Sequence, residues 1–101
     1  MADFRPLTVA MIDIDHFKAV NDGHSHQAGD RVLKAIAQLL VATVRERDVA
    51  ARLAGDEFIV LLNDADEATA ADIVARIQNA VAAFDWASIS PGLSVSLSIG
   101  L

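Results

Sequence analysis

The fold of this chain follows from seven residues, Arg52-Leu53-Ala54-Gly55-Asp56-Glu57-Phe58. The apolar run Val49-Ala50-Ala51 leads into them, and Phe58-Ile59-Val60-Leu61-Leu62 follows. Two strand-like runs separated by a pair of small residues predict a β-hairpin. Two adjacent carboxylates, Asp56 and Glu57, stand at its tip. Because Asp and Gly are common turn formers, a polar hairpin tip without further function is the alternative interpretation.

A second acidic cluster, Asp13-Ile14-Asp15, ends another apolar run, Leu7–Ile14, which predicts a central strand. A carboxylate at the end of a buried strand costs several kcal/mol unless it is paired or bound to metal. Two such strand ends, side by side in a sheet, would form a hard-oxygen site suited to Mg²⁺. For Asp15 the pattern favours a different role, the N-cap of a helix that begins at His16.

Composition restricts the class of protein. A chain of 101 residues that is 53% hydrophobic predicts one folded domain. Its net charge of −6 disfavours contact with nucleic acid or with an anionic membrane. The absence of cysteine excludes disulfides and thiolate metal sites. No apolar run approaches the roughly 20 residues of a membrane span, and the N-terminus shows no signal pattern, so we expect a cytoplasmic protein.

Two amphipathic helices are predicted on either side of the hairpin. Over residues 30–47, and again over residues 66–84, apolar side chains recur with a period of about 3.6 residues. The polar residues 21–30 predict a loop, in which we interpret two histidines as solvated and not as a zinc pair. Strict alternation over residues 93–101 predicts a last, half-buried strand, and Trp86 before it is interpreted as a core residue.

The order of these elements is strand, helix, strand, strand, helix, strand. This βαββαβ order predicts an α+β fold with a ferredoxin-like core, an antiparallel sheet with both helices packed on one face. In that plan the first and third strands are central neighbours. We therefore expect the end of the first strand, with Asp13, to lie beside the hairpin tip with Asp56 and Glu57.

With these residues in place, the chain resembles the GGDEF, or diguanylate cyclase, domain family over residues 7–101. Met11-Ile12-Asp13-Ile14-Asp15-His16-Phe17-Lys18-Ala19-Val20-Asn21-Asp22 resembles the family's D-x-D-x-F-K-x-x-N-D segment. Gly29-Asp30 resembles the G-D that opens the long helix, and the stretch from Arg52 to Phe58 resembles R-Y-G-G-D-E-F. Ser98-Ile99-Gly100 resembles the family's S-I-G. The resemblance implies a nucleotide cyclase-like sheet.

The resemblance also implies an activity. The family condenses two GTP molecules into cyclic di-GMP, which requires a homodimer of GTP-loaded domains. It implies that Asp13, Asp56 and the backbone carbonyl of Ile14 hold Mg²⁺, or Mn²⁺ in its place. Glu57 would lie beside the reacting 3′-hydroxyl, which makes Asp56 and Glu57 the expected catalytic residues.

For substrate binding, the resemblance implies that Asn21 and Asp30 bind the guanine edge. Their side chains can accept and donate hydrogen bonds there. The backbone N–H groups of Phe17 and Lys18 would meet the phosphates, in keeping with the anion site at a helix N-terminus. Ala54 and Gly55 would line the bound nucleotide.

A possible regulatory site is implied by an R-x-x-D pattern, Arg45 to Asp48. In the family this is an inhibitory site for cyclic di-GMP, to which Arg76 on the second long helix would contribute. Arginine suits such a site because its planar fork binds phosphates and stacks on bases. The alternative interpretation is an ordinary helix end followed by an Asp in a turn.

The chain departs from the family pattern at Ala54, which replaces the first Gly of the signature. Where the backbone needs positive φ, Ala is worse than Gly by roughly 1 kcal/mol. Where a nucleotide passes close to the backbone, the extra methyl group intrudes. Either effect would lower activity, and Ala54→Gly is predicted to raise it.

We expect residues 1–101 to form a single domain that contains the family core alone, without the family's N-terminal segment and C-terminal helix. Low activity is expected of such a chain, together with a fused or associated sensor domain. A degenerate domain that binds GTP or cyclic di-GMP and regulates a partner without catalysis is the second hypothesis. A third is a scaffold that binds no ligand.

Overall fold

A computed structural model describes residues 5–101. Its strands are β1 (Leu7–Ile14), β2 (Val49–Ala54), β3 (Glu57–Asn63) and β4 (Leu97–Gly100). Its helices are α1 (Phe17–Gly23), α2 (His26–Thr43) and α3 (Glu67–Ala83), and a 3₁₀ turn at Trp86–Ser88 precedes β4. The order of elements along the chain confirms the predicted α+β class.

The four strands form one antiparallel sheet in the order β2-β3-β1-β4. The first and third strands are therefore central neighbours, as predicted. The side chains of β1 and β3 that alternate onto one face are buried, and they share a core with the apolar sides of α2 and α3. Members of this core include Ala10, Ile12, Ile14, Val32, Ile36, Leu40, Phe58, Val60, Leu62, Ile73, Ile77 and Val81.

The opposite face of the sheet is lined by the alternate residues of the strands. Apolar side chains on it are exposed, among them Leu7, Met11, Val49 and Leu53. Asp13 follows Met11 by two positions, so it also belongs to this face. The acidic end of β1 therefore points away from the core and from α2 and α3.

The predicted loop over residues 21–30 is wrong. Helix α1 continues to Gly23, and α2 begins at His26, where Ser25 caps it by accepting a hydrogen bond from the Ala28 N–H at 2.9 Å. The small residues Ala28 and Gly29 are buried in the first turn of α2, which lets α1 pack closely against it. The exposed polar residues Asp22, His26 and Gln27 obscure the helical pattern in the sequence.

Three boundaries also differ from the predictions. Helix α2 ends at Thr43, so Arg45 lies beyond its end. The last strand covers only Leu97–Gly100, because the residues before it run past the end of β1 and lack a full strand partner there. The N-cap of α1 is His16, at φ 53° and without a side-chain cap, so the predicted N-cap role of Asp15 is wrong.

Local hydrogen bonds fix both ends of α3, and one of them belongs to Trp86, whose predicted core position is confirmed. Asp66 caps α3 by accepting a hydrogen bond from the Thr69 N–H at 2.9 Å, which holds the pKa of Asp66 below its usual value. Trp86 is a core residue whose indole N–H donates to the Val81 carbonyl at 2.8 Å. The connection between α3 and β4 is thereby tied to the end of α3.

Candidate functional site

The hairpin tip is a two-residue loop, Gly55-Asp56, between the paired residues Ala54 and Glu57. Gly55 has φ +50°, and a glycine at the first loop position with positive φ is what a two-residue hairpin of type II′ uses. The Arg52 Nε–H donates to the Gly55 carbonyl at 2.8 Å and holds the loop against β2. The tip that carries the carboxylates is thus fixed from within the hairpin.

Asp13 and Glu57 are direct partners in the register of β1 and β3. Directly opposed residues of an antiparallel pair share a face and have Cβ atoms about 4.5–5.5 Å apart. Both side chains are exposed, on the face away from the helices. The structure therefore brings these two predicted residues together.

Asp56 is connected to the end of β1 through its backbone. The Ile14 N–H donates to the Asp56 carbonyl at 3.2 Å, and the Asp56 side chain is half-buried. In a strand the N–H and the C=O of one residue point to the same side. The Ile14 carbonyl therefore also points towards the side on which the hairpin tip lies.

No cationic side chain neutralises this acidic group within the described chain. The two ion pairs found among residues 5–101 involve other residues, so Asp13, Asp56 and Glu57 have no such partner there. Like charges directly opposite each other destabilise a sheet. A cation held between the strand ends would remove that repulsion.

The donor set fits a hard divalent ion that also binds a substrate. No three His, Cys, Asp or Glu side chains within residues 5–101 group closely enough to hold a metal by themselves. The predicted ligand set has two carboxylates, of Asp13 and Asp56, and the Ile14 carbonyl. Mg²⁺ is usually held by one or two carboxylates together with substrate phosphates, so this set is of the expected size.

Asp15 takes part in a different set of contacts. Its Oδ2 accepts a hydrogen bond from the Ser96 hydroxyl at 2.7 Å, and its Oδ1 accepts one from the Ser98 hydroxyl at 2.5 Å. The hydrogen bond from Ser98 and, to a smaller extent, the one from Ser96 hold the pKa of Asp15 below its usual value. Sequence reasoning missed both serine contacts, although Ser98 lies in the S-I-G motif and faces Asp13 in the sheet register.

A second part of the site lies between α1 and α2. A Cβ atom placed on Gly29 would stand 1.8 Å from Asn21 Oδ1, so the Asn21 side chain lies against the bare backbone of Gly29. Asp30 follows Gly29 directly and lines a cavity of about 310 Å³ with Leu33, Lys34, Ala37 and Arg52. The structure therefore brings the predicted Asn21 and the segment with Asp30 together, and it adds Arg52.

Helix α1 begins at Phe17, three residues after the end of β1 at Ile14. Phe17 is the first residue of the helix and is half-buried, and Lys18 is exposed. The first N–H groups of a helix have no partner within it. Beside this helix start, a cavity of about 300 Å³ is lined by Asp15, His16 and residues 92–96, among others.

Arg45 and Asp48 bind each other. The Asp48 carboxylate, whose side chain has 0% exposure, accepts hydrogen bonds from Arg45 N, Nε and Nη2, each at 2.9 Å, and from Asn63 N at 3.1 Å. Arg45 Nη2 also donates to the Asn63 carbonyl at 2.7 Å. The side-chain hydrogen bonds between the two residues hold the pKa of Asp48 below its usual value and raise the pKa of Arg45 above its usual value.

The surroundings of this pair are open on one side. Arg45 lines a shallow cavity of about 380 Å³ with Glu46 and Arg47. Arg76 is exposed on α3 and does not line this cavity. The structure thus joins two of the three residues predicted for the inhibitory site, Arg45 and Asp48.

The sequence matches the sequence model of a family described as "Diguanylate cyclase, GGDEF domain" over residues 2–101. Diguanylate cyclase A of Treponema denticola is 39% identical over 95 residues, which make up 94% of this chain and 26% of that protein. The chain therefore spans about a quarter of the length of this curated relative.

Solved structures with the same fold include the diguanylate cyclase SiaD of Pseudomonas aeruginosa in complex with its activator SiaC. It has a TM-score of 0.84 and 36% identity, over 93% of this chain and 36% of that one. The GGDEF domain of DgcB from Caulobacter crescentus, in complex with c-di-GMP, has a TM-score of 0.83 and 27% identity, over 93% of this chain and 57% of that one. Of the helices in residues 5–101, none combines the length and apolar character that crossing a bilayer would require.

Proposed function

The chain belongs to the GGDEF diguanylate cyclase domain family, and from that premise we propose that it is a catalytic module that condenses two GTP molecules into cyclic di-GMP. The observation that carries the proposal is the cross-strand pair Asp13–Glu57 at the hairpin tip, with Asp56 bonded to Ile14 beside it. Carboxylates brought together without a cationic partner among residues 5–101 suit a Mg²⁺ ion that also binds substrate phosphates.

In this proposal Asp13, Asp56 and the Ile14 carbonyl hold Mg²⁺, or Mn²⁺ in its place. When bound, the ion supplies positive charge that neutralises the α-phosphate and lowers the pKa of a bound hydroxyl. Glu57, opposite Asp13, accepts the proton of the attacking 3′-hydroxyl at its carboxylate. Asp56 would support this step as a ligand of the ion, by keeping the positive charge close to the reacting group.

The nucleotide is bound and oriented by α1 and α2. Asn21 and Asp30 hydrogen-bond the guanine edge, since their side chains supply both acceptors and donors. The N–H groups of Phe17 and Lys18 bind the phosphates at the start of α1. Ala54, at the end of β2, and Gly55, in the hairpin loop, lie against the nucleotide from the other side.

The product contains two nucleotides, and each module carries one site, so the reaction needs two copies of the module facing each other. The proposal places the module in the cytoplasm, where GTP is available. The similar P. aeruginosa enzyme SiaD was solved with its activator SiaC. By analogy, we propose that a sensor or regulatory partner, fused or separate, brings the two copies together.

The test is incubation of the protein with GTP and Mg²⁺, with cyclic di-GMP and pyrophosphate measured together. Two pyrophosphates should appear for each cyclic di-GMP, and the rate per chain should rise with protein concentration. Asp13→Asn and Glu57→Gln should abolish the product, whereas Asp72→Asn, at an exposed position on α3, should leave the rate unchanged. Absence of cyclic di-GMP at every protein concentration would overturn the proposal.

A second candidate function is nucleotide binding without catalysis, as in a degenerate regulatory domain. The observation that favours it is Ala54, whose methyl group is exposed at the end of β2 beside the hairpin loop. Isothermal titration calorimetry separates the two functions. Binding of GTP and Mg²⁺ without any product would support the binding module, and turnover would exclude it.

For regulation, we propose that cyclic di-GMP binds through Arg45 and Arg76, with Asp48 holding Arg45 in place. Asp48 itself is enclosed and bonded by four donors, so direct contact with a ligand would require breaking its bond to Arg45. Arg76→Ala is the informative variant, because Arg76 is exposed and its loss should not disturb the core. Unchanged affinity for cyclic di-GMP in this variant would exclude Arg76 from the site.

A further inference from the structure

The peptide unit between Ile14 and Asp15 has its direction fixed by the sheet. The Asp15 N–H donates to the Ser96 carbonyl at 2.9 Å, on the side of β4. The described chain contains no cis peptide bond, so the C=O of this unit points opposite to its N–H. The Ile14 carbonyl therefore points away from β4, towards the side of β3 and Asp56.

Asp15 adds a second attachment to β4 through its side chain. Each carboxylate oxygen accepts one serine hydroxyl, from Ser96 at 2.7 Å and from Ser98 at 2.5 Å. Immediately after Asp15 the backbone turns into the left-handed conformation at His16. Because β1 ends and changes direction at this point, these three bonds hold the last strand peptide where it would otherwise fray.

We propose that Asp15 is a positioning residue, which clamps the end of β1 onto β4 through Ser96 and Ser98 and so aims the Ile14 carbonyl at the metal. This inference rests on the proposed function, since it concerns the ligand set of that site. The clamp distinguishes Asp15 from Asp13, although both carboxylates belong to the same D-x-D segment. Asp13 faces Glu57, whereas the two oxygens of Asp15 accept hydrogen bonds from Ser96, just before β4, and from Ser98 in β4.

The expected loss of metal affinity can be judged from the effect of other contacts that orient a metal ligand. Loss of a group that orients a metal ligand costs about 10- to 100-fold in metal affinity. The fold should tolerate the loss, because Ser96 and Ser98 are exposed and water can solvate Asp15 in their place. Substitutions of exposed side chains of this kind leave the stability of a protein almost unchanged.

The experiment measures Mn²⁺ affinity by electron paramagnetic resonance in the presence of GTP and in parallel records the melting temperature. The double variant Ser96→Ala/Ser98→Ala should lose on the order of 10-fold in affinity with little change in melting temperature. Ser94→Ala is the matched control, an exposed serine of the same segment whose hydroxyl makes no bond to Asp15. Ser98→Thr, which keeps the hydroxyl, should retain the affinity of the parent.

The results of this experiment distinguish the positioning role of Asp15 from the proposed function. If the parent binds Mn²⁺ and the double variant binds it equally well, the positioning role is overturned and the proposed function stands. If the double variant loses affinity only in proportion to a fall in melting temperature, the contacts are merely structural and the inference fails as well. If the parent binds no Mn²⁺ with GTP present, the proposed function itself is overturned.

Discussion

Asp13 and Glu57 lie directly opposite each other in the antiparallel pair of β1 and β3, on the face of the sheet that the helices leave open. Two carboxylates at adjacent strand positions repel each other, and no described cationic side chain compensates them. Such an arrangement reduces the stability of the chain alone. It becomes favourable once a cation lies between the strand ends.

Neutralising one partner should therefore stabilise the metal-free protein while it removes activity. Without divalent ions, Asp13→Asn or Glu57→Gln should raise the free energy of unfolding by about 0.2–1 kcal/mol. Urea unfolding in the presence of a chelator measures this change. Asp72→Asn on α3 serves as the control for removal of one negative charge, and an equal gain in that variant would show that net charge, not the opposed pair, is responsible.

Gly29→Ala should impair GTP binding without unfolding the chain. The new Cβ would occupy the position of Asn21 Oδ1, so the Asn21 side chain must move away from Gly29. The KM for GTP should rise, and discrimination between GTP and ATP should fall. Gly23→Ala is the matched control, because a Cβ there meets nothing within 4 Å. An equal KM for GTP and equal discrimination against ATP in the two variants would contradict the proposed contact of Asn21 with guanine.

The Arg45–Asp48 pair should make stability depend on pH. Bonds from Arg45 hold the pKa of Asp48 below its ordinary value of 3.8. Such a carboxylate contributes its full stabilisation above the unfolded pKa, and the contribution disappears as pH falls through the lower folded pKa. The stability difference between the parent and Asp48→Asn should therefore be constant at neutral pH and shrink below about pH 4.

Loss of the Asp48 carboxylate should also be costly at neutral pH. Asp48→Ala leaves the Asn63 N–H and the Arg45 donors without their acceptor, at a cost on the order of 2 kcal/mol. Glu46→Ala, at a neighbouring exposed position, should stay within about 0.5 kcal/mol of the parent. Chemical denaturation at pH 7 measures the free energy of unfolding of both variants. Similar values for the two would show that the Arg45–Asp48 pair contributes little to stability.

Substitution of the two small hairpin residues, Ala54 and Gly55, should have different effects on the stability of the chain. Gly55 has φ +50°, so Gly55→Ala should destabilise the chain by about 1–2 kcal/mol. Ala54 is a strand residue outside the left-handed region, so the expected relief of backbone strain in Ala54→Gly is wrong. Any rise in turnover must come from space for the nucleotide, and it should appear without a gain in melting temperature. A higher melting temperature for Ala54→Gly would contradict this account.

The central strands and the hairpin could be predicted because their sequence signals are local. The apolar run of β1 and the small pair at Gly55 each point to one structure, and the antiparallel plan then places Asp13 beside the hairpin tip. Other contacts between residues far apart in the sequence had no local signal that predicts them. The serine clamp on Asp15 joins residues 81 and 83 positions apart along the chain, and nothing near Asp15 indicates it.

Errors arose where tertiary packing outweighed local pattern. Residues 21–30 are polar enough to suggest a loop, yet Ser25 caps α2 and buried Gly29 lets α1 pack against it. The alternating residues before Leu97 suggest a strand, yet β1 ends too early to pair with them fully. For Arg45 and Asp48, the spacing gave no indication that they would bind each other.

The most direct test of the proposed metal site is a crystal structure of the protein with a non-hydrolysable GTP analogue and Mn²⁺. The account predicts anomalous difference density for Mn²⁺ in contact with the Asp13 and Asp56 carboxylates and the Ile14 carbonyl, with the nucleotide phosphates completing the coordination. A bound nucleotide with no Mn²⁺ at these three groups, or with the ion coordinated elsewhere, would contradict it.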